Sequence, residues 1–401
     1  MMKWRHSISW VGLIAVACLA CSFGCSQEED GWAGGDASTE QVSLSDGDTS
    51  TPTPSPAPAP ANSTVSIPST PGQVMTVGSG TDPDVAVDSQ GHLHLVYVRD
   101  GVTWYTEYDY ATGSTIVPEM VVGGGDDPQI ALDSNDRAHV AFGNVFYSHR
   151  SGSGFSTPVS LVSGKGKPRI AVDSMNRVYV VGMRSTVPRN LLFVFENNNL
   201  IVNGIVVGDN DMGGIDVDSY GRAHICWRSG RSLYYTSYRV GEDTGGVSDR
   251  SVLISGTASD FSDIAVDHRD GSLHVTHTHS FGGGIDYIHR NGAGAWGTDF
   301  NYAADHCLDG ADAIQPTTAV DASGFQYVVF TGNQMVPKYY VVGQDGSSIA
   351  VPCGDIDASR KSGGKKQNPN VASRPNMNGA YVAWGMGAVY VRSLGNISFA
   401  N

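Results

Sequence analysis

One pattern recurs through residues 83–384 and constrains this chain more than any other feature. It consists of a proline, a short apolar run, an aspartate, a turn, and then a His or Tyr inside a second apolar run. The first copy reads Pro83-Asp84-Val85-Ala86-Val87-Asp88, then Gly91 and His94-Leu95-Val96-Tyr97. Further copies run Pro128 to Asp133 with His139, Pro168 to Asp173 with Tyr179, and Gly213 to Asp218 with His224. Two more run Ser262 to Asp267 with His274 and Pro316 to Asp321 with Tyr327. The seventh runs Pro369 to Arg374 with Tyr381, so Arg374 stands where the other copies carry Asp. At that position the copies are 45, 40, 45, 49, 54 and 53 residues apart. A repeat of this period is a unit that cannot cover its own apolar face and must stack on its neighbours.

Each unit reads as strands. The Val-Ala-Val-Asp and His-Leu-Val-Tyr types of segment alternate and are rich in β-branched residues, with a Gly or Asn turn between them. A tyrosine-rich third strand follows, as in Thr103 to Tyr108 or Ser232 to Tyr235. A fourth precedes the next copy: Glu119 to Val122, Val159 to Val162, Ile205 to Val207, Ser251 to Ile254. Four strands per ~40–50 residues is the blade of a β-propeller. The predicted fold is all-β, a seven-bladed β-propeller of four-stranded antiparallel blades over 72–401. Gln73 to Val77 also reads as a strand, whereas the seventh motif is followed by too few residues for a full blade. The N-terminal strand is therefore expected to complete the last blade and leave no open sheet edge. A six-blade ring with a decayed extra unit is the competing arrangement. Composition agrees: 50 glycines and 16% charged residues, against a usual ~25%, favour turns over exposed helix. A net charge of −15 argues against a nucleic-acid partner.

The repeat resembles those of secreted bacterial propellers with sialidase-like (BNR-type) repeats, of the Ile-Ala-Val-Asp-Ser-x-Gly-x-x-His-Val-x-Tyr kind, and similar repeats occur in NHL-type propellers. The resemblance covers about 72 to 401. It implies the fold and leaves activity open. A sialidase would need an arginine cluster, a Tyr nucleophile with a Glu partner and an acid/base Asp. Arg99 and Arg184 would be two of the arginines, and a third is not found. The family's Ser-x-Asp-x-Gly-x-Thr-Trp box is absent. Ser151 to Phe155 and Asn291 to Trp296 are eroded remains at best.

Residues 1–24 form a basic start (Lys3, Arg5) and an uncharged apolar run, the pattern of an export signal. Cys25 follows Gly24 and precedes an acidic stretch, which resembles the processing site of bacterial lipoproteins. Ser22, three residues before it, departs from the preferred aliphatic residue, and Cys21 is the fallback for lipidation. Residues 25–71 hold seven acids, no Lys or Arg, and alternate prolines from Pro52 to Pro60. They read as a disordered, semi-rigid linker. The expected location is the cell envelope, lipid-anchored to a bacterial membrane.

Stacking the copies separates scaffold from candidate site. The column His94, His139, Tyr179, His224, His274, Tyr327, Tyr381 wants a ring with a polar tip, expected to bond within the blade to the repeat Asp. The column Arg99, Asn144, Arg184, Ser229, His279, Gly332, Met386 is polar in five of seven copies and holds six different residues. It stands where the second strand runs into its loop. Asp82, Asp126, Asp127, Lys165, Lys167, Asp211, Asp260, Asp312, Lys365 and Lys366 stand on the loops that lead into the first strands, on the same face. Varied polar residues over a repeated scaffold are where binding sits. The expected binding residues are Arg99, Asn144, Arg184, Ser229 and His279, with Trp227 able to stack on a sugar ring. Cys307 and Cys353 lie on adjacent loops of that face and are a candidate disulfide. Cys226 falls in a small buried slot and reads as inert. His277-x-His279 lacks a third ligand, so no metal is expected, and no phosphate loop or nucleophile elbow points to a cofactor or catalytic residue. The function expected is a non-catalytic module binding a glycan or envelope protein. The alternatives are a diverged sialidase-like glycosidase or polysaccharide lyase, and a scaffold in an envelope complex.

Overall fold

Each copy of the repeat opens an antiparallel sheet in the computed structural model, and seven sheets follow one another around a central channel. The structure describes residues 71–162, 166–184, 189–243, 247, 249–256, 258–279, 284–298, 300–301, 314–332, 335–359, 368–385 and 387–399. Cys21, Cys25, the export signal and all of the linker except Pro71 lie outside them. The first blade runs Thr81–Val87, Leu93–Arg99, Val102–Asp109 and Ser114–Gly124, from the channel outwards. Each later blade follows this order, and the second adds a two-residue strand, Gly154–Phe155. Every inner strand touches the inner strand of the next blade, and Asn370–Ala372 of the seventh touches Thr81–Val87 of the first. The seven-bladed arrangement, and not the six-bladed one, is therefore the fold.

Closure takes the expected route. Met75–Gly78 pairs antiparallel with Val389–Phe399, with Met75 opposite Val391 and Thr76 opposite Tyr390. The strand begins two residues later than the sequence suggested. Gly80 and Gly387 exchange backbone hydrogen bonds at 3.2 and 2.9 Å, extending the seam.

The repeat Asp does two jobs at once. One carboxylate oxygen holds the turn after the inner strand: Asp133 Oδ1 accepts the N–H of Asn135 and Arg137, both at 2.9 Å. In the second, third, fourth and sixth blades the other reaches the ring of the second strand, whereas in the fifth Asp267 takes the Arg269 guanidinium. His139 Nε2 lies 3.4 Å from Asp133, His224 Nε2 3.2 Å from Asp218, and the Tyr179 and Tyr327 hydroxyls donate to Asp173 and Asp321. The other imidazole nitrogen then meets a third-strand tyrosine, as in His139–Tyr147 at 2.8 Å and His224–Tyr235 at 2.7 Å. Burial by itself would raise the Asp133 carboxyl. The His139 and backbone bonds outweigh it and lower the group to about 2. Arg374, the exception to the repeat, bonds Val87 O at 3.0 Å and Asp136 at 2.8 Å, tying the seventh blade to the first and second.

Core side chains fill the gaps between blades. Tyr179, Val181 and Leu192 of the third blade pack with Val217, Ala223 and Ile225 of the fourth. Burying each large side chain fully contributes roughly 1.5–3 kcal/mol. At the channel, carboxylates bridge neighbouring blades: Asp84 accepts the N–H of Ile130 at 2.8 Å, Asp216 that of Val266 at 2.8 Å and Asp263 that of Thr318 at 2.9 Å. Loss of water raises all three carboxyls, against the opposing pull of those N–H bonds, Asp84 to about 7 and Asp263 to about 6. A raised folded pKa means that the stability each carboxyl contributes is full at acid pH and is lost as pH rises through the folded value. Asp84→Asn keeps an acceptor for Ile130 without the charge. It should raise the Tm by about 2 °C at pH 8, with the gain shrinking towards pH 4. An equal gain at both pH values in thermal melts would exclude this account.

Candidate functional site

Register decides which loops share a face. Thr81, at the start of the first inner strand, pairs with Val98 near the end of the second, and Ile314 pairs with Thr331 in the sixth blade. Loops into inner strands and loops out of second strands therefore lie together.

The six residues expected to bind are spread around this rim, and none lines the cavity at its centre. Arg99 bonds Glu119 at 2.9 and 3.1 Å and lies over the Trp104 ring at 4.1 Å. Ser229 accepts from Asn210 at 2.7 Å, and Asn144 is exposed on a tight turn. Arg184 is exposed at the end of its strand. His279 meets Asp286 through Nδ1 at 2.5 Å, with His277 Nε2 3.8 Å from the same oxygen. Trp227 is 2% exposed, stacked on Tyr234 at 5.5 Å, with Arg250 over its ring at 5.3 Å. A methyl carbon at Gly208 would come within 2.6 Å of that indole. Its role is thus to fill the core, where no ligand reaches the ring. Cys226 is fully buried, and burial pushes its thiol up to about 12. Cys353 is disulfide-bonded, and Cys307 lies outside the described residues, as do Lys165, Asp312, Lys365 and Lys366.

The structure does gather polar residues at the mouth of the channel. Asp82, Asp127, Lys167, Phe261, Gln315 and Asn368, from six different blades, encircle a cavity of about 140 Å³. Four of them, Asp82, Asp127, Gln315 and Asn368, have left-handed φ values of 50, 45, 57 and 41°, and each directly precedes the proline of its copy. Left-handed backbone is uncommon outside glycine, and the residue before a proline is restricted further. Bulges accompany two of them, between Thr81 and Asp84 and between Ile314 and Thr317. Such bulges re-aim side chains, and strained backbone of this kind clusters at functional sites.

A second tier lies just below: Gln129, Arg169, Asp263, Thr317 and Asn370. Arg169 donates to its own Pro168 carbonyl at 2.8 Å and forms no ion pair among the described residues. Its charge nonetheless acts on Asp84, Asp127 and Asp263, from three other blades. Loss of water raises the Asp127 carboxyl too, against the charge of Arg169. The Oε1 of Gln315 and the Oδ1 of Asn368 are buried without a hydrogen-bond partner among the described residues. Carboxylates of the first, second and fifth blades thus share one cavity with the cations of the third and the amides of the second, sixth and seventh.

Asp82, Asp127 and Lys167 were among the loop residues noted in the sequence, whereas Arg169, Gln315 and Asn368 were not. The signal was present: the column before the proline is polar in five of seven copies, as variable as the column after the second strand. Which of the two columns points at the axis is decided by the closing of the ring, which no single copy contains.

No family model matches this sequence, and no curated protein matches it. Among solved structures the chain is similar to hydrazine synthase of Kuenenia stuttgartiensis, at 14% identity and a TM-score of 0.55 over 77% of this chain and 94% of that one. It is similar to the β-propeller domain of Myceliophteria thermophila Cps50 (Swd1), at 10% identity and a TM-score of 0.55 over 81% and 100%. A PL25 ulvan lyase aligns at 10% identity and a TM-score of 0.49 over 81% and 96%. The first two likenesses bear on the fold alone.

Trp227→Ala should destabilise the protein by about 3–5 kcal/mol in urea unfolding, as expected for emptying a packed aromatic site. A change under 1 kcal/mol would mean that the indole is not core.

Proposed function

We propose that this protein is an exported propeller, held at an envelope membrane by a lipid on Cys25, that binds carbohydrate at the mouth of its channel without transforming it. The observation that carries the reading is the gathering of both donors and acceptors around one small cavity. An anion drawn to Arg169 and Lys167 would face Asp82, Asp127 and Asp263. A cation drawn to those carboxylates would face Arg169. A hydroxyl both donates and accepts, so a polyhydroxylated ring can meet both sets together. Phe261 adds an apolar side, against which the C–H face of a sugar can pack.

Glycan-array and titration measurements test this. Arg169→Ala should weaken binding at least tenfold, because it removes charge-assisted donors from a partly dehydrated site. Absence of binding to any array or envelope glycan would overturn the proposal. For the anchor, a clickable palmitate should label the full chain, and Cys25→Ser should abolish that label. Labelling retained in Cys25→Ser and lost in Cys21→Ser would move the anchor to the fallback position.

A second reading rests on Asp84 and Asp263, two channel carboxyls raised to about 7 and 6 by loss of water. Groups of this kind suit acid/base work on a glycosidic bond, as in a diverged glycosidase or lyase. Each already bridges two blades through a backbone N–H, which favours the binding reading. Product formation from polysaccharides, abolished by Asp263→Asn in a folded variant, would reverse that preference.

A further inference from the structure

We infer that the mouth of the channel recognises the end of a glycan chain, one terminal sugar ring inserted along the axis, and not an internal stretch of polymer. The inference rests on the carbohydrate reading above and adds the form of the ligand. Three observations lead to it.

The first is size. The mouth holds about 140 Å³, close to the ~150 Å³ that accommodates a single benzene-sized ring. The second is enclosure. The residues around it come from six blades, so among the described residues the walls surround the axis and the way in is from the loop face. An internal sugar has two linkages leaving it. Seated here, both would have to turn back through the same rim. A terminal sugar has one, and it leaves along the axis.

The third is what lies beneath. The lower channel is a separate cavity of about 580 Å³, which meets the mouth at Gln129, Asp263, Thr317 and Asn370. It is girdled by the fourth residue of each motif, which is alanine in six blades (Ala86, Ala131, Ala171, Ala265, Ala319, Ala372) and Asp216 in the fourth. At the belt itself a threaded sugar would meet one polar side chain, Asp216, and give up water there, although aspartates and serines of the turns line the channel below it. The polar tier containing Arg169 is therefore the floor of the site. The Gln315 Oε1 and Asn368 Oδ1 are buried with no hydrogen-bond partner among the described residues, and a turn of either side chain towards the cavity would present an acceptor to the hydroxyls of the inserted ring.

The test uses the full chain in detergent on paired immobilised glycans. One set ends in glucose, galactose, mannose, N-acetylglucosamine, rhamnose, fucose or glucuronate, and the matched set carries each of these capped by a different sugar. Binding should follow the terminal residue and fall at least tenfold on capping. The methyl glycoside of the preferred sugar should compete. Asn368→Ala and Gln315→Ala should each weaken uncapped binding about three- to tenfold while leaving the melting curve in place. Equal binding to capped and uncapped partners, still sensitive to Arg169→Ala, would overturn chain-end recognition and leave the carbohydrate reading standing. No binding to either set would overturn both.

Discussion

The ring stands or falls on how each inner strand is held to the next. A blade alone presents two apolar faces and one inner edge, and none of these is satisfied until its neighbours are in place. Apolar packing fills the space between blades but is non-directional. Register at the axis is set by polar groups crossing from blade to blade. Asp84, Asp216 and Asp263 take N–H groups from the following strand, and Thr317 and Asn370 donate to Pro369 and Pro83. These bonds form where little water reaches, so a displaced blade would leave a carboxylate and an amide both unsatisfied. Closure through Met75–Gly78 completes the constraint, since the first and last parts of the repeat region share one sheet.

The repeat divides its labour by position. The Asp and the His or Tyr are scaffold: the carboxylate pins a turn with one oxygen and orients a ring with the other, and the ring passes the constraint to a third-strand tyrosine. Two short hairpins serve the same scaffold. Phe155 and Trp296 come from hairpins after a third strand, and each meets edge-on the tyrosine of the preceding blade, Tyr105 and Tyr235, at 5.1 and 5.2 Å. With these positions occupied by structure, variation is free to collect on the loops. It does so in two columns, one around the outer rim and one around the axis.

The two columns differ in what a ligand would meet. Rim residues such as Arg99 and Ser229 are engaged by neighbours in their own blade or the loop beside it, and they stand one to a blade. Axial residues converge, because a ring of seven sheets brings corresponding positions together only at its centre. Left-handed backbone at Asp82, Asp127, Gln315 and Asn368 turns that convergence into a lined cavity. Such conformations cost of order 1–3 kcal/mol each and persist only where the surroundings over-determine them. Here the following proline and the paired inner strand do so.

The sequence by itself determined the strands, the repeat and the closing strand. All of these are written in local periodicity and spacing, and a period of two or of some 45 residues survives any detail of packing. It also marked Trp227 as an aromatic position, but not that the indole would be sealed against Gly208 and Tyr234, because burial belongs to pairs of blades. Only the tertiary structure decided where the candidate site lies. Asp82 and Asn368 are 286 positions apart in the chain and share a hydrogen bond at the axis. Arg169 acts on carboxylates of three other blades. Closing the ring creates that proximity, and no segment short enough to be read locally contains it.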